Sequence, residues 1–277
     1  MAGEIEKIKE KIDIAEFLKA YIDLRPAGKN LKALCPFHAE KTPSFVVSPE
    51  RKMWRCFGSC GEGGDVFKFL MKYENIEFYE ALKTLAERAG IALQTVSPRE
   101  HKEFGVLYDI NEAAKDFFQE QLALNQEAFN YLKERGLNNE TSEEFSLGFS
   151  PGGEALVLHL LKKGYDIQDM ARAGLTYKNA QNLYRDKFEG RIMFPIYNTM
   201  GKTVAFTGRI LPSIAKILEG RSFEAPKYMN SPETPIFNKS KILYGFHRSK
   251  NEIAKQRAVF MVEGQMDFLM AWQAGVK

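Results

Sequence analysis

Cysteine is scarce in this sequence, and its scarcity excludes one class of fold. The 277 residues contain three cysteines, too few and too odd a number for a disulfide framework. No apolar run approaches the ~18 residues of a membrane span, and the highly charged first twenty residues do not fit a secretory signal. Apolar residues at 44% and charged residues at 27% are typical of globular proteins. We therefore expect a cytoplasmic protein of about two domains, without a membrane partner.

The net charge of +3 is unevenly distributed along the chain. Residues 185–257 contain 14 basic and 6 acidic side chains, whereas residues 1–184 contain 24 basic and 28 acidic ones. A basic segment of this kind favours an anionic partner such as nucleic acid. A solvated lysine-rich face accounts for the charge equally well.

Three cysteines and one histidine form two closely spaced pairs. Cys35 and His38 are separated by two residues, and Cys56 and Cys60 by three. Thiolate and imidazole pairs on two turns can close a tetrahedral site of the kind that zinc prefers. Four protein ligands leave no open coordination position, so we predict one structural zinc ion. Buried free thiols with a surface histidine are the alternative interpretation.

Short strands are predicted around these pairs, at 31–34, 44–47 and 53–57. The strands and their turns contain Lys41, Trp54 and Arg55. Basic and aromatic side chains interleaved on a sheet are typical of surfaces that stack unpaired bases and contact phosphates. We therefore treat these three residues as candidate nucleic-acid contacts. The alternative is that the aromatic side chains fill a small core.

The rest of the pattern predicts a mainly helical chain with a second β region. Apolar residues at helical spacing predict helices at 4–22, 65–73 and 77–89, and a mainly helical stretch from 103 to about 172. Apolar runs at 191–197 and 203–210, joined by a turn, predict an antiparallel hairpin with Arg191 and Arg209 near its ends.

The segment 226–245 is rich in turn residues and predicts an exposed irregular loop. It contains five polar or aromatic candidates for contacts with nucleic acid: Lys227, Tyr228, Asn230, Lys239 and Lys241. Positive charge, an aromatic face and hydrogen-bonding groups together suit phosphates and single-stranded nucleic acid. By composition alone, a plain surface loop is the more frequent explanation.

An apolar run at 258–262 precedes Glu263, Gly264 and a helical stretch, which predicts a buried strand, a tight turn and a helix. A carboxylate at the carboxyl end of such a strand points into the crevice where α/β folds bind ligands. Glu263 could hold Mg²⁺ or transfer a proton, although an ordinary turn residue is as good an explanation. Asp267 lies in the first helical turn, where negative charge is favoured in any case.

Longer motifs stand in a fixed order along the chain. They are Cys-Pro-Phe-His-x-Glu-Lys-Thr-Pro-Ser-Phe at 35–45, Cys-Phe-Gly at 56–58, Glu-Arg-Gly-Leu at 134–137, Phe-Ser-Leu-Gly-Phe at 145–149, Arg-Ile-Met-Phe-Pro-Ile at 191–196, Gly-Arg at 208–209, Pro-Lys-Tyr-Met-Asn-Ser-Pro-Glu-Thr at 226–234 and Val-Glu-Gly-Gln-Met-Asp at 262–267. Together they resemble the bacterial DnaG-type primase family over nearly the whole chain.

The resemblance implies an α+β fold. A zinc-ribbon domain would span 1–95 and a linker 96–103. The basic N-terminal subdomain of a primase RNA polymerase core would span 104–255, and an incomplete TOPRIM subdomain 256–277.

By the same resemblance, the four Cys and His residues would bind zinc. The residues that track the template or the incoming triphosphate would be Arg191, Arg209, Lys227, Tyr228 and Lys239. Glu263 would be the acidic residue of the catalytic centre, with Asp267 in support.

The implied activity is template-directed synthesis of short RNA primers, a nucleotidyl transfer assisted by Mg²⁺ or Mn²⁺. The implied partners are single-stranded DNA, ribonucleoside triphosphates and the RNA–DNA primer hybrid. The replicative helicase would join them through a C-terminal domain that is not among these residues.

Three features depart from the family pattern. Ser59 makes the second ligand pair Cys-x3-Cys instead of Cys-x2-Cys, and Ser240 and Gln265 replace a usual glycine and a usual aromatic residue. The chain also ends before the family's paired metal-binding aspartates, so we expect these 277 residues alone to be weakly active or inactive. The alternatives are a non-catalytic zinc-ribbon module that binds single-stranded DNA, and the primase part of a phage or plasmid helicase–primase.

Overall fold

The computed structural model describes residues 2–74, 76, 78–92, 104–219 and 225–277. The chain divides into two compact units, Met1–Glu103 and Phe104–Lys277. The linker predicted at 96–103 lies outside the described residues. Within the described ranges, no helix combines the length and apolar character that crossing a membrane requires.

The first unit is built on a five-stranded antiparallel sheet. Its strands β1–β5 are Arg25–Ala27, Asn30–Ala33, Phe45–Ser48, Met53–Cys56 and Gly63–Gly64, in that spatial order. Its helices α1–α4 are Ala2–Lys11, Ile14–Lys19, Val66–Tyr73 and Phe78–Arg88. The three predicted strands and the predicted helices at 65–73 and 77–89 are confirmed to within about a residue. Strand β1 is three residues long and β5 consists of two glycines, so apolar periodicity cannot reveal them.

The helix predicted at 4–22 is two helices. Asp13 lies between them, and its carboxylate accepts hydrogen bonds from the backbone N–H groups of Ala15 (2.8 Å) and Glu16 (3.0 Å). A side-chain acceptor at this position satisfies donors that have no partner within the helix, so it starts a new helix. Apolar spacing alone does not reveal this interruption.

Aromatic stacking forms the core of the first unit. The rings of Phe45 and Trp54 stack with centroids 4.9 Å apart, and Phe69 of α3 meets both rings at 6.0 Å. All three side chains are almost fully buried. The core therefore joins adjacent strands β3 and β4 to the helix that follows the sheet.

The second unit contains a four-stranded antiparallel sheet in the order β11-β10-β9-β6 and a separate pair β7-β8. Strands β6–β11 are Gly148–Ser150, Thr176–Lys178, Tyr184–Asp186, Arg191–Tyr197, Thr203–Ile210 and Tyr228–Asn230. Helices α5–α12 are Val106–Leu124, Gln126–Glu134, Asn139–Glu144, Ala155–Lys162, Ile167–Arg172, Pro212–Glu219, Phe246–Gln256 and Gln265–Gln273. The predicted α+β class and the mainly helical stretch before 172 are confirmed.

The predicted hairpin is confirmed as β9 and β10, the central strands of this sheet. Nearly every residue of both strands is buried, because separate hydrophobic clusters cover the two faces of the sheet. On one face, helix α5 packs at very short distance. A Cβ on Gly148 would lie 2.4 Å from the Cβ of Phe118 on α5. The ring of Phe118 in turn meets Phe206 of β10 edge-on at 5.3 Å.

The strand predicted at 258–262 is wrong. These residues form no strand, and Phe260 and Met261 are 81% and 76% exposed. A short apolar strand is stable only when neighbours complete its backbone hydrogen bonds and cover its faces, and no described strand pairs with this run. The helix predicted after Glu263 is confirmed as α12.

Helix α12 is anchored to the second unit at its carboxyl end. The indole N–H of Trp272 donates to the Glu144 carboxylate (2.9 Å). The side chain of Gln273 accepts from the N–H of Asn138 (2.8 Å) and donates to the carbonyl of Gly136 (3.0 Å). The helix that follows Glu263 is thus fixed to the turn between α6 and α7.

Candidate functional site

The structure brings Cys35, His38, Cys56 and Cys60 together. Their ligand atoms all lie within 4.8 Å of one another. The Cys35 and Cys60 sulfurs are 3.7 Å apart, and the Cys56 sulfur is 3.9 Å from Nδ1 of His38. A tetrahedral ion with ~2.3 Å zinc–sulfur bonds places two sulfurs about 3.8 Å apart. The four residues therefore converge closely enough to hold one zinc ion.

The additional residue of the Cys-x3-Cys pair is accommodated in a turn. The N–H of Gly61 donates to the carbonyl of Gly58 (3.2 Å), and the N–H of Cys56 donates to the carbonyl of Glu62 (2.7 Å). These bonds close the loop around Ser59 and return Cys60 to the ligand set. The departure from the family spacing thus leaves the four ligand atoms convergent.

The Glu40 carboxylate positions the metal-ligand segment by accepting four hydrogen bonds. One carboxylate oxygen accepts from the backbone N–H groups of Cys35 (2.7 Å) and Ser44 (3.1 Å), and the other from the Ser44 hydroxyl (2.6 Å) and Nε2 of His38 (3.0 Å). These bonds, led by the Ser44 hydroxyl, lower the pKa of Glu40 to about 2. With Nε2 held by a carboxylate, Nδ1 of His38 is the nitrogen left for zinc.

The environments of two of the thiols differ. Burial raises the pKa of the Cys35 thiol to about 12. Burial also acts to raise the pKa of Cys56, but the hydrogen-bonding contacts of its sulfur with the Ser44 hydroxyl and the Gly58 N–H outweigh it and lower the pKa to about 7. The Gly58 N–H, which donates to the Cys56 sulfur (3.2 Å), favours the thiolate that a metal requires.

The candidate contacts on the ribbon separate into two faces. Trp54 is 1% exposed, and its indole N–H donates to the carbonyl of Asp65 (2.9 Å). It belongs to the core, so it offers no face to a base, and the core alternative is correct for this residue. Arg55 is exposed, and its guanidinium lies 5.7 Å from the ring of Phe57, which is 70% exposed. Lys41 is also exposed.

Arg191 is not on the surface of the second unit. It is 2% exposed, and its Nη1 donates to the carbonyls of Gly208 (3.2 Å), Pro226 (2.8 Å) and Lys227 (3.4 Å). Burial lowers the pKa of Arg191. The guanidinium thus fixes the segment before β11 against the hairpin, which fits a positioning role better than contact with a template.

Arg209 lies within cation–π distance of two tyrosine rings. Its guanidinium carbon is 5.2 Å from the ring centroid of Tyr228 and 5.6 Å from that of Tyr131. Arg209 and Tyr228 are also direct partners in the β10–β11 register, and the guanidinium donates to the Tyr228 hydroxyl. Tyr228 is 38% exposed, so a cation and an aromatic face stand together at the sheet edge.

The other predicted residues of the segment after 226 have exposed side chains, but not all are free. The Asn230 carbonyl oxygen accepts from the Thr207 hydroxyl. Lys227, Lys239 and Lys241 are exposed, and within the described ranges none forms an ion pair. Their charges are therefore available to an anion.

Glu263 and Asp267 are both exposed, on either side of the α12 start. Asp267 lies in the first turn of α12, where its charge complements the helix dipole. The buried-strand setting predicted for Glu263 is absent, because the preceding run is exposed.

Sequence reasoning named Phe57 among the interleaved basic and aromatic side chains of the ribbon without separating it from the core, and it missed two further residues. Phe57 follows Arg55 on the outer face, and period-two alternation from Cys56 could have revealed its orientation. Arg135 is exposed one helical turn after Tyr131, within the motif at 134–137. Nothing in the sequence indicated that Tyr131 meets Arg209, because that contact is non-local.

Two family descriptions match adjacent parts of the chain. Residues 1–101 match the CHC2 zinc finger, and residues 117–250 match the N-terminal domain of the DNA primase catalytic core. A DNA primase of Halalkalibacterium halodurans is 40% identical over 280 residues, which cover 98% of this chain and 45% of that protein.

Solved primase structures share the fold. The Aquifex aeolicus primase, comprising zinc-binding and RNA polymerase domains, is 33% identical with a TM-score of 0.56, covering 99% of this chain and 64% of that one. A DnaG primase catalytic domain bound to single-stranded DNA is 32% identical with a TM-score of 0.53, covering 62% of this chain and 51% of that one.

A zinc ribbon joined to the N-terminal domain of a primase core defines a class of replication proteins. The chain belongs to the bacterial DnaG-type DNA primase family. It spans about half the length of the curated relatives it matches.

Proposed function

We propose that this protein binds a single-stranded DNA template and takes part in the synthesis of short RNA primers on it. The observation that carries the proposal is the pairing of Arg209 with Tyr228 at an exposed sheet edge. A guanidinium can neutralise a phosphate, and an aromatic face can stack an unpaired base of any sequence. A relative was solved with single-stranded DNA, which supports this choice of ligand.

Three exposed lysines of the same unit extend the proposed interface. Lys227 precedes Tyr228 directly, and Lys239 and Lys241 lie on the 3-10 helix Lys239–Lys241. Exposed lysines without ion-pair partners in the described ranges are suited to phosphates, whose neutralisation releases counterions. Asn230 keeps its amide group for a further hydrogen bond while its carbonyl oxygen binds Thr207.

On the zinc ribbon, the proposed contacts are Lys41, Arg55 and Phe57. The zinc ion would hold the turns that carry the ligands and leave no coordination position for substrate. Phe57 replaces Trp54 as the stacking residue, because it lies on the outer face with Arg55.

We assign Glu263, with Asp267 in support, to a catalytic Mg²⁺ or Mn²⁺ site. Carboxylate oxygens are the donors these ions prefer, and both side chains are exposed. Such ions stabilise negative charge on the attacking and leaving oxygens during nucleotidyl transfer. A two-ion site needs more oxygen ligands than two carboxylates supply, so we expect weak or absent synthesis from these residues alone.

The further partners of the proposed activity are ribonucleoside triphosphates, the RNA–DNA hybrid and the replicative helicase. Residues 256–277 would then belong to a TOPRIM subdomain. The activity would take place in the cytoplasm, where the template is found.

Binding is tested by fluorescence anisotropy with a labelled single-stranded oligonucleotide over a series of salt concentrations. Each phosphate contact contributes about −0.7 to the slope of log affinity against log salt. Arg209→Ala should weaken binding and make the slope about 0.7 less steep. Lys162→Ala, at an exposed lysine away from the interface, is the control. Absence of salt-dependent binding by the wild-type chain contradicts the proposal.

Synthesis is tested with labelled ribonucleotides on single-stranded DNA, using the full reading frame that contains these residues, with Glu263→Gln beside the wild type in Mg²⁺ and in Mn²⁺. Short RNA products that disappear in the variant support the assignment of Glu263. Products that persist in the variant remove Glu263 from the catalytic centre. Strong binding without any product under all conditions is the result expected of a binding module.

A further inference from the structure

Arg209 is held by aromatic rings and not by a carboxylate. Its guanidinium lies against Tyr131 and Tyr228, at 5.6 and 5.2 Å from the ring centroids. Among the described residues it forms no ion pair. Its positive charge is thus unneutralised, while its guanidinium is in contact with two aromatic rings.

The two rings belong to elements that differ in packing. Tyr228 lies on the edge strand β11 and is 38% exposed. Tyr131 lies on α6, packed against the cluster that contains Leu132, Phe145 and Phe194. Helix α6 is capped at its start by Asn125, whose side chain accepts from the N–H of Ala128 (2.9 Å). Tyr131 is therefore the ring that is packed against the core, and Tyr228 is the ring that is exposed.

The hydroxyl of Tyr131 takes no part in the arrangement. It is a buried atom with no hydrogen-bond partner among the described residues. The contribution of Tyr131 to Arg209 is consequently that of the ring face, whose quadrupole attracts a cation. A phenylalanine would preserve that face, whereas a leucine would preserve only volume.

We propose that Tyr131 is a positioning residue for nucleic-acid binding, which acts by holding the Arg209 guanidinium in the orientation that meets a phosphate of single-stranded DNA. The inference rests on the proposed function, because Arg209 must contact the template for its orientation to matter. An arginine already held in place loses less conformational freedom when it binds. Tyr131 itself touches no DNA.

The test is anisotropy with the full chain and a labelled single-stranded oligonucleotide. A cation–π contact at a partly exposed site corresponds to a factor of a few in an equilibrium constant. Tyr131→Leu should weaken binding about three- to fivefold, and Tyr131→Phe should match the wild type. Tyr177→Leu, at a 46% exposed tyrosine of the same unit, is the control and should have no effect.

A double-mutant cycle separates positioning from general loosening of the fold. In an Arg209→Ala background, Tyr131→Leu should have no further effect and should leave the salt dependence unchanged. Additive losses would overturn the proposal, as would wild-type affinity in Tyr131→Leu. If Arg209→Ala alone weakens binding, the proposed function stands while this inference fails. If the wild-type chain does not bind, both fail.

A second series avoids any dependence on the stability of the leucine variant. Fluorinated phenylalanines at position 131 keep the size of the ring and progressively weaken its negative face. Affinity for the oligonucleotide should decrease with each added fluorine in wild-type background and stay constant in Arg209→Ala. An affinity independent of fluorination overturns the proposal.

Discussion

Glu40→Gln is the substitution that most directly tests the zinc centre. Glu40 accepts four hydrogen bonds, from two backbone N–H groups, the Ser44 hydroxyl and Nε2 of His38. The oxygen of a glutamine can still accept from the two backbone groups, and the Ser44 hydroxyl can reverse its role. The N–H of His38 cannot reverse when Nδ1 binds a metal, so two donors would face each other.

The expected magnitude follows from that single lost bond. Removing a group that orients a metal-binding histidine weakens metal affinity by about 10- to 100-fold, which corresponds to about 1.4–2.7 kcal/mol. Glu40→Ala, which removes all four bonds, should weaken zinc binding further. The melting temperature of the first unit should decrease in the same order, because zinc binding is coupled to folding of such sites.

Zinc affinity is measured by competition with a metallochromic chelator at fixed pH, with zinc content and circular dichroism recorded alongside. Glu50→Gln is the matched control, because Glu50 is exposed and no hydrogen bond to its side chain is described. Zinc affinity in Glu40→Gln within about threefold of the wild type would refute the reasoning. It would mean that the carboxylate behind His38 neither orients the ring nor tunes the metal.

Three further changes test the second unit. Gly148→Ala should destabilise the second unit by about 1–3 kcal/mol or more, because the new Cβ would lie 2.6 Å from the backbone carbon of Phe118. Denaturant unfolding measures this, and an unchanged midpoint contradicts it. Burial and neighbouring cations lower the pKa of His247 to about 4, below the ~6.5 of an unfolded chain. This contribution to the free energy of unfolding is fully present above pH 6.5 and is lost as the pH decreases toward 4. His247→Gln should reduce that loss by on the order of 1–2 kcal/mol after discounting for solvent screening. Parallel curves of stability against pH for the variant and the wild type would refute this. Trp272→Phe removes the N–H bond to Glu144 and should cost about 1–2 kcal/mol by thermal unfolding, and an unchanged melting temperature would show the bond to be dispensable.

The alternation of inward-facing and outward-facing side chains along β4 shows how much of the site could be predicted from the sequence. Cys56 must face inward to reach the metal, and side chains two apart share a face of a strand. Trp54 therefore belongs inside with Cys56, and Arg55 and Phe57 belong outside. The two-residue period of a strand predicts this arrangement once Cys56 is known to be a metal ligand. Composition alone suggested Trp54 as a base-stacking residue.

The sequence by itself determined what depends on nearby residues and on side-chain chemistry. The zinc ligands follow from thiolate and imidazole groups on two short turns, and the β9–β10 hairpin follows from two apolar runs joined by a tight turn. The tertiary structure alone decided what depends on distant partners. It buried Arg191 among carbonyls, left residues 258–262 without a neighbouring strand, and placed Tyr131 of α6 against Arg209 of β10. These outcomes depend on which surfaces meet after folding, and no local pattern of residues records that.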